Sequence, residues 1–271
     1  MALYIPGSVN LMEPSQVPPG SLVETELLMI GSSSCTYRHN QVIIKVPRID
    51  DEAEITQANA HATKVEANVY RILGVHERIA KCLYISPTRE IIILEFYPLG
   101  NLKDYIALHG RNATQVGKWA NQMIDSVHYI HSKGVLHSDL RLEQWLLDPH
   151  LNARLGDFNS SGYDECPALD LPARKAVGIE DPSHFMPRDA CGEDNSVRSD
   201  LFALGSALYE VEFGDRPFEG VDGETITRRF ERGVFPAVEG FVLRDIILGA
   251  WEGGFQSGAE MLRRGAHLSD L

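Results

Sequence analysis

The stretch that decides the fold is residues 135–147, with the sequence VLHSDLRLEQWLL. It places a histidine, an aspartate, a basic residue and an amide in a short polar segment between two apolar runs. Polar groups that face a cleft or the interior need hydrogen-bond partners, so such a segment requires a structural or chemical reason. A second motif with an aspartate, LGDFN at residues 155–159, follows shortly afterwards.

Upstream of these motifs, short apolar segments surround one helical pattern. Residues 52–73 carry apolar side chains at helical spacing. Turn-forming pieces such as residues 31–40 bound the apolar segments, as the strands of a sheet require. The predicted strands are residues 22–30, 41–46 and 91–96, with a shorter candidate at 83–85. These features predict a small sheet with one helix.

Downstream, the pattern is mainly helical. Residues 113–132 and 200–213 place apolar side chains on one helix face. Residues 159–195 show little periodicity and many turn formers, which predicts a long surface loop. Weaker predictions are helices at residues 101–108, 225–232, 241–251 and 258–264, and a hairpin of residues 145–147 and 153–155.

The composition indicates one large domain or two small lobes. The chain has 271 residues, of which 44% are apolar and 23% are charged, close to the globular average. The formal net charge is −13. Because such a field repels a phosphate backbone, we expect no nucleic-acid partner.

Cysteine usage and the longest apolar runs bear on location. The four cysteines are sparse and form no C-x-x-C pair, which favours free thiols in a reducing compartment. Residues 1–20 are rich in proline, glycine and serine, lack a secretory signal and predict an extended leader. Apolar runs such as residues 91–94 are too short to cross a membrane. We therefore expect a soluble, cytoplasmic monomer with no membrane partner.

The two polar motifs resemble the catalytic loop and the metal-binding motif of the eukaryotic protein kinases, H-R-D-L-x-x-x-x-N and D-F-G. Further segments in the family's order strengthen the resemblance, which covers about residues 22–264. These are VIIK at residues 42–45, LEFYPLGNL at 94–102 and SDLFALG at 199–205. The chain is thereby identified as a divergent, fungal-like member of that family.

The resemblance implies an α+β, bilobal, protein-kinase-like fold. Its N-lobe is small and mostly antiparallel β with one helix, and its C-lobe is mainly α. The implied organisation is a single kinase-like domain. It comprises an extended leader at residues 1–20, the N-lobe at 21–97 and the C-lobe at 98–271.

The resemblance also implies a catalytic set. Lys45 would hold the α- and β-phosphates of ATP, and Glu66 on the predicted helix would be the partner of that lysine. Asp139 would accept or orient the proton of the attacking hydroxyl, and Arg141 would steady the γ-phosphate. The alternative from the residues alone is that Lys45 and Glu66 form an ordinary surface ion pair.

ATP and Mg²⁺ are the implied cofactors. Asp157 and Gln144 would bind the metal, since a hard cation takes oxygen ligands. The nucleotide-binding residues implied by the resemblance are Gly31, Ser33 and Thr36 in the phosphate loop, Lys45, and Glu95 and Tyr97 in the hinge.

Several positions depart from the family pattern. Only Gly31 remains of the three glycines in the phosphate loop. Ser138 replaces the arginine that receives a phosphate on the activation loop, so control by loop phosphorylation loses its usual receiver. The second metal ligand is Gln144 instead of asparagine, and Asn159 replaces the glycine of D-F-G.

A further departure concerns one structural ion pair of the family. In HFMPR, residues 184–188, Arg188 stands where the family has a glutamate. The segment WEGGFQS at residues 251–257 lacks the arginine partner. We therefore expect both halves of this pair to be missing and the C-lobe to be held differently.

The function classes that remain are an active kinase and a pseudokinase. The first transfers phosphate from ATP to hydroxyls of an unidentified protein substrate, and the second is a binding or scaffold module with weak or no catalysis. Arg141 stands where Ser/Thr kinases usually have lysine and is also seen in tyrosine-specific relatives, so Ser/Thr specificity is expected but open. A small-molecule kinase is a third class, because fold alone does not fix the substrate.

Overall fold

The structure, a computed structural model, describes residues 25–188 and 194–266. The predicted leader at residues 1–20 lies outside the described residues, as do residues 22–24 of the first predicted strand. The strands are β1 Glu26–Ile30, β2 Ser34–His39, β3 Val42–Pro47, β4 Cys82–Ile85, β5 Ile92–Glu95, β6 Val135–Leu136, β7 Trp145–Leu147, β8 Ala153–Leu155 and β9 Gly162–Tyr163. The helices are α1 Ala53–Leu73, α2 Leu102–His109, α3 Ala113–Ser132, α4 Val197–Phe213, α5 Gly223–Glu231, α6 Arg244–Trp251 and α7 Gly258–Arg264.

The chain divides into two compact units. Unit 1 comprises the described residues up to Ala67 together with Lys81–Phe96, and unit 2 comprises Asn68–Ala80 together with the described residues from Tyr97 onward. Residues 68–80 were expected in the N-lobe, 21–97. They count with unit 2 because Asn68 Nδ2 donates to Tyr163 Oη at 3.0 Å and neighbouring side chains pack there. The lobe boundaries at residues 21–97 and 98–271 stay a prediction.

Unit 1 is a five-stranded antiparallel sheet with the first part of α1. The strand order is β1-β2-β3-β5-β4, with every pairing antiparallel. Apolar side chains such as Val65 and Ile92 are almost fully buried and form its core. The predicted small antiparallel sheet with one helix is therefore confirmed.

One expectation about unit 1 was wrong. The sequence predicts a turn-forming piece at residues 31–40, yet residues 34–39 form strand β2. Its Cys35, Thr36 and Tyr37 are suited to a pleated strand, and β2 pairs with β1 on one side and β3 on the other. The neighbouring glycine and serines are typical of a turn, so the sequence pattern does not indicate this strand. The strand forms because both of its edges pair with other strands.

Unit 2 is mainly helical and packs around α3 and α4. Both helices begin with a capping box, at Asn112 and at Ser196, which satisfies exposed backbone N–H groups at their first turns. Gly205 of α4 lies against α6, since a Cβ added there would come within 2.6 Å of the Ala250 Cβ. The predicted hairpin is confirmed as β7 paired with β8. The mainly α unit 2 completes the expected bilobal kinase-like fold class.

Residues 159–195 are not the plain surface loop that the sequence predicts. Strand β9 within this segment pairs with β6, and Ser161, Ser183 and His184 are almost fully buried. The segment lacks periodicity because its buried side chains meet partners from distant parts of the chain rather than repeating on one face. Across the described residues, no helix has both the length and the apolar character needed to span a membrane.

Candidate functional site

The predicted phosphate-holding pair lies in the interior of unit 1. Strand β3 carries Lys45 and helix α1 carries Glu66, and the Lys45 Nζ is 2.7 Å from the Glu66 Oε2. The two side chains are only 8% and 1% exposed. Burying two charges is costly unless their geometry is close, so this is not an ordinary surface pair. The sheet instead holds one ammonium group at a fixed place.

The expected phosphate-loop residues lie at the junction of β1 and β2. The Gly31 N–H donates to the Ser34 carbonyl at 2.8 Å, and the Ser33 carbonyl accepts from the Arg48 N–H at 3.0 Å. Thr36 lies within β2, directly opposite Lys45 on β3. Backbone contacts therefore order this turn although it retains only one glycine of the family pattern.

The two predicted hinge residues belong to different units. In unit 1, Glu95 ends strand β5 and its N–H donates to the Lys81 carbonyl at 2.9 Å. In unit 2, Tyr97 is 5% exposed, and the Arg154 guanidinium lies 6.0 Å from its ring centre. Contacts within its own unit therefore hold each of the two residues.

The catalytic-loop motif of unit 2 is anchored to α4. Buried Asp200 accepts hydrogen bonds from the backbone N–H groups of His137 at 2.8 Å and Ser138 at 2.9 Å. The His131 ring lies 2.9 Å from the same carboxylate. Burial favours the neutral carboxyl, but these hydrogen bonds and the nearby histidines outweigh it and lower the pKa of Asp200. The carboxylate thus fixes the backbone just before Asp139.

A second set of contacts ties this loop to the LGDFN motif. The His137 Nε2 lies 3.0 Å from the Gly156 carbonyl, and the Asp139 N–H donates to His137 Nδ1 at 3.3 Å. Phe158 is fully buried, with its ring centre 5.2 Å from that of His137. The histidine therefore connects the two motifs that the sequence singled out.

Asp139 is held by the side chains of Gln144 and Arg141. The Gln144 Nε2 donates to Asp139 Oδ2 at 3.0 Å, and the Arg141 Nε is 3.5 Å from Asp139 Oδ1. Burial raises the pKa of Asp139; Arg141 and His137 oppose this, while the charge of Asp157 adds to it. A carboxylate with raised proton affinity is better suited to receive a proton.

The expected Mg²⁺ ligands offer a suitable set of donor atoms. Asp157 has a left-handed backbone with φ 61°, and Gln144 lies beside the same motif because its carbonyl accepts from the Gly156 N–H at 2.9 Å. A carboxylate and an amide oxygen are hard ligands that fit Mg²⁺. Among the described residues there is no cluster of three or more His, Cys, Asp or Glu able to hold a metal.

Ser138, which replaces the family's arginine, fastens the following segment to the catalytic loop. Its hydroxyl donates to the Ser160 carbonyl at 2.9 Å and accepts from the Gly178 N–H at 3.1 Å. A Cβ added at Gly178 would come within 2.1 Å of the Ser138 carbonyl oxygen. The sequence indicated what Ser138 lacks but not this bridge, since no pattern links residue 138 to residue 178.

The sequence predicts that one structural ion pair of the family is missing, and the structure shows which contacts Arg188 makes instead. Arg188 is paired within its own segment, with its Nη2 2.7 Å from Glu180 Oε1 and 2.8 Å from Asn195 Oδ1. Burial raises the pKa of Glu180, although Arg188 opposes the rise. A second buried pair joins His184 Nε2 to Glu210 Oε1 of α4 at 2.8 Å. This part of unit 2 therefore contains two buried pairs that differ from the family's pair, and the predicted loss of the family's pair stands.

Glu143 is a residue near Asp139 that the sequence did not single out. Its carboxylate lies 2.8 Å from both Lys103 Nζ and Arg216 Nη2, and Arg216 also binds Asp181 at 3.1 Å. Burial opposes ionisation, but the hydrogen bonds from Lys103 and Arg216 prevail and lower the pKa of Glu143 to about 2. This network links the catalytic loop to the segment around Asp181.

The comparisons with known proteins agree with this arrangement. The family described as "Protein kinase domain" matches residues 31–240, which is most of the chain. The chain belongs to the protein kinase domain family. The eukaryotic-type resemblance is thereby confirmed, while the fungal-like character stays a prediction.

Individual relatives also carry kinase names. The chain is similar to NUAK family SNF1-like kinase 1 of Homo sapiens, with 27% identity over 71% of this chain and 28% of the relative. It is similar to CBL-interacting serine/threonine-protein kinase 8 of Arabidopsis thaliana, with 32% identity over 58% of this chain and 35% of the relative. CBL-interacting protein kinase 3 of Oryza sativa subsp. japonica shares 36% identity over 49% of this chain. The chain spans about a third of the length of these relatives.

Proposed function

We propose that the chain transfers the γ-phosphoryl group of ATP to a Ser or Thr hydroxyl of a protein substrate. The observation that carries this proposal is the buried Lys45–Glu66 pair at 2.7 Å. A binding module gains little from holding two charges in the interior, whereas phosphoryl transfer needs a positioned cation. The Ser/Thr preference rests on relatives, one of which is named a serine/threonine-protein kinase.

In this proposal each unit supplies its own part of the chemistry. Lys45, held by Glu66, would bind phosphate oxygens, and Gly31, Ser33 and Thr36 are the further residues proposed to bind them. Glu95 and Tyr97 are the residues that the family resemblance assigns to the adenine. When bound, Mg²⁺ neutralises charge on the phosphates, and Asp157 and the Gln144 amide oxygen are the residues that would hold it.

Asp139 is the proposed base. Its raised pKa favours proton transfer, and the Gln144 amide fixes the direction of its carboxylate. The distance of 3.5 Å between Arg141 Nε and Asp139 Oδ1 supports the proposal that Arg141 steadies the γ-phosphate. No covalent intermediate is needed, because positioning and charge stabilisation supply the rate enhancement.

The test is phosphoryl transfer from labelled ATP to a degenerate peptide library, with Asp139→Asn as the matched variant. Asp139 acts on the substrate hydroxyl, so we expect Asp139→Asn to lower turnover by about 10²–10⁴-fold. ATP binding should persist, and Mg²⁺–ATP should still raise the melting temperature of this variant. Transfer that continues undiminished in Asp139→Asn would reject Asp139 as the base.

The second candidate is a pseudokinase that binds partners with weak or no turnover. The phosphate loop favours it, because Ser33 and Thr36 replace two of the glycines that let backbone approach phosphate. It predicts no transfer by the natural protein, and partner binding that tolerates Asp139→Asn. A melting temperature that stays flat with millimolar Mg²⁺–ATP would favour a partner-binding role without nucleotide.

We further propose that the protein works as a cytoplasmic monomer on a protein substrate and without nucleic acid. The net charge of −13 and the sparse cysteines support this proposal. Size-exclusion chromatography with light scattering tests the oligomeric state. A mass twice that of the chain would reject the monomer.

A further inference from the structure

Helix α5 carries a row of cationic side chains along one side. Positions 225, 228, 229 and 232 are spaced by three or four residues, so they share one face of the helix and its last turn. One cavity of about 270 Å³ is lined by these residues and one more. We call it the arginine pocket, and it is formed by Thr225, Arg228, Arg229, Arg232 and Val234. Of the described residues that line it, none is acidic.

The arginine pocket is held in place by the packing of α5. Ile226 and Phe230, on the inner side of the helix, are only 6% and 4% exposed. The Arg229 guanidinium lies 4.8 Å from the centre of the Phe218 ring, and the Arg229 carbonyl accepts from the Val234 N–H at 2.9 Å. The helix and the Arg229 side chain are therefore held in place before a ligand binds, so ordering them costs little conformational entropy.

Ion pairs and the helix dipole do not account for these arginines. Arg228 Nη1 is 3.7 Å from Glu224 Oε1, with both side chains more than half exposed, and such pairs contribute little. Cations are favoured near the carbonyl end of a helix, which explains one or two arginines there. It does not explain three arginines around one cavity in a chain whose net charge is −13.

The size and donors of the arginine pocket define the ligand. Its volume lies near the lower limit for small-molecule pockets, which suits a single anionic group rather than a nucleotide. Guanidinium groups bind oxygen pairs in bidentate geometry. A phosphoryl group near pH 7 offers close to two negative charges on three oxygens, whereas a carboxylate offers one charge on two.

We propose that the arginine pocket docks a phosphorylated serine or threonine in a peptide segment of a partner protein. Three arginines line the pocket, which together supply enough donors for the three phosphoryl oxygens, and this docking requires neither ATP nor Asp139. It is thus independent of the proposed phosphoryl transfer. Failure of one proposal leaves the other untouched.

The test is fluorescence anisotropy with the full chain and a labelled degenerate phosphoserine peptide mixture, without nucleotide. The comparison ligands are the same mixture with serine or with aspartate at that position. We expect the phosphorylated mixture to bind at least tenfold more tightly than either. Arg228→Gln/Arg232→Gln should weaken binding at least tenfold, whereas Arg244→Gln on α6, an equally exposed arginine, should not change it. Added salt should weaken binding, because charges dominate it.

The Arg228→Lys/Arg232→Lys variant separates guanidinium recognition from simple attraction. Lysine keeps the positive charge but lacks the planar guanidinium group that binds two oxygens at once. We therefore expect severalfold weaker binding with an unchanged melting temperature. Equal affinity for the three mixtures, or unchanged binding by the glutamine variant, would overturn the proposal. So would binding to phosphatidylserine vesicles without binding to the phosphorylated mixture, which would assign the pocket to a membrane surface.

Discussion

Each unit of the protein buries an ion pair, but only one pair follows the pattern of the kinase family. In unit 1, Lys45 and Glu66 occupy the expected positions and lie 2.7 Å apart. In unit 2, Arg188 replaces the expected glutamate and binds Glu180 of its own segment, also at 2.7 Å. The two pairs have the same length and similar burial, yet one is in the family's place and the other is new.

Under the proposed function, the difference follows from what each pair has to do. A cation that binds phosphate must occupy one place relative to its ligand, so neither its identity nor its position can change without loss of function. A pair that only holds backbone must satisfy each partner's charge in the interior. Any two opposite charges that meet there, such as Arg188 and Glu180, meet this requirement.

Breaking the unit 1 pair should have the largest effect, on activity. Lys45→Met removes the positioned cation, so we expect phosphoryl transfer to fall about 10²-fold or more, measured as initial rates with labelled ATP. Lys64→Met on α1, the helix that carries Glu66, is the control, because Lys64 forms an exposed pair with Glu90. Equal rates for Lys45→Met and the natural protein would contradict the role proposed for the Lys45 cation.

Breaking the unit 2 pair should mainly affect stability. Glu180→Gln leaves the Arg188 charge nearly buried without a carboxylate, which we expect to lower the free energy of unfolding by about 3 kcal/mol. Arg188→Met in addition should recover part of that loss, and a double-mutant cycle in urea measures the coupling. Asp245→Asn, which breaks an exposed pair with Arg244, should change stability by less than about 0.5 kcal/mol. A similar loss of stability in Glu180→Gln and Asp245→Asn would show that burial of the pair is not the cause.

A smaller effect is expected from the charge of Asp139. Its pKa is raised on folding, so the folded chain binds this proton more tightly than the unfolded chain does. The contribution of Asp139 to stability is therefore present below its unfolded pKa and is lost as the pH rises through its folded pKa. Asp139→Asn should accordingly be more stable relative to the natural protein at pH 7 than at pH 4 in thermal melts. The opposite trend would mean that Arg141 and His137 outweigh burial.

The smallest expected effect is that of phosphatase treatment. Ser138 already joins the Ser160 carbonyl to the Gly178 N–H, so unit 2 needs no phosphate to order this segment. Turnover should stay unchanged after phosphatase treatment. Ser138→Ala is the comparison variant, because it removes the hydroxyl that joins the Ser160 carbonyl to the Gly178 N–H. A large loss restored by rephosphorylation of Ser160, Ser161 or Tyr163 would show that another basic residue binds a phosphate.

Much of the fold could be predicted because local patterns carry it. The apolar periodicity of residues 113–132 matches helix α3, and the β7–β8 hairpin lies where short apolar runs stand. Strand β2 was missed because serine and glycine surround residues that pair only through the neighbouring strands.

The candidate site also has residues that local motifs indicate and contacts that only the fold creates. Lys45, Glu66, Asp139 and Asp157 could be located from short motifs in a fixed order. The pairing of Glu180 with Arg188 and of His184 with Glu210 could not, because it depends on which side chains folding buries beside one another. Nothing local in residues 159–195 encodes those encounters.

The close approach of α4 and α6 at Gly205 has a consequence for how this sequence can evolve. A methyl group at position 205 would lie 2.6 Å from the Ala250 Cβ, so a larger residue there requires the facing position to lose volume. Substitutions at positions 205 and 250 should therefore be correlated, and alanine should be tolerated at 205 once glycine occupies 250. Homologous sequences that carry side chains at both positions would need a wider spacing between these two helices.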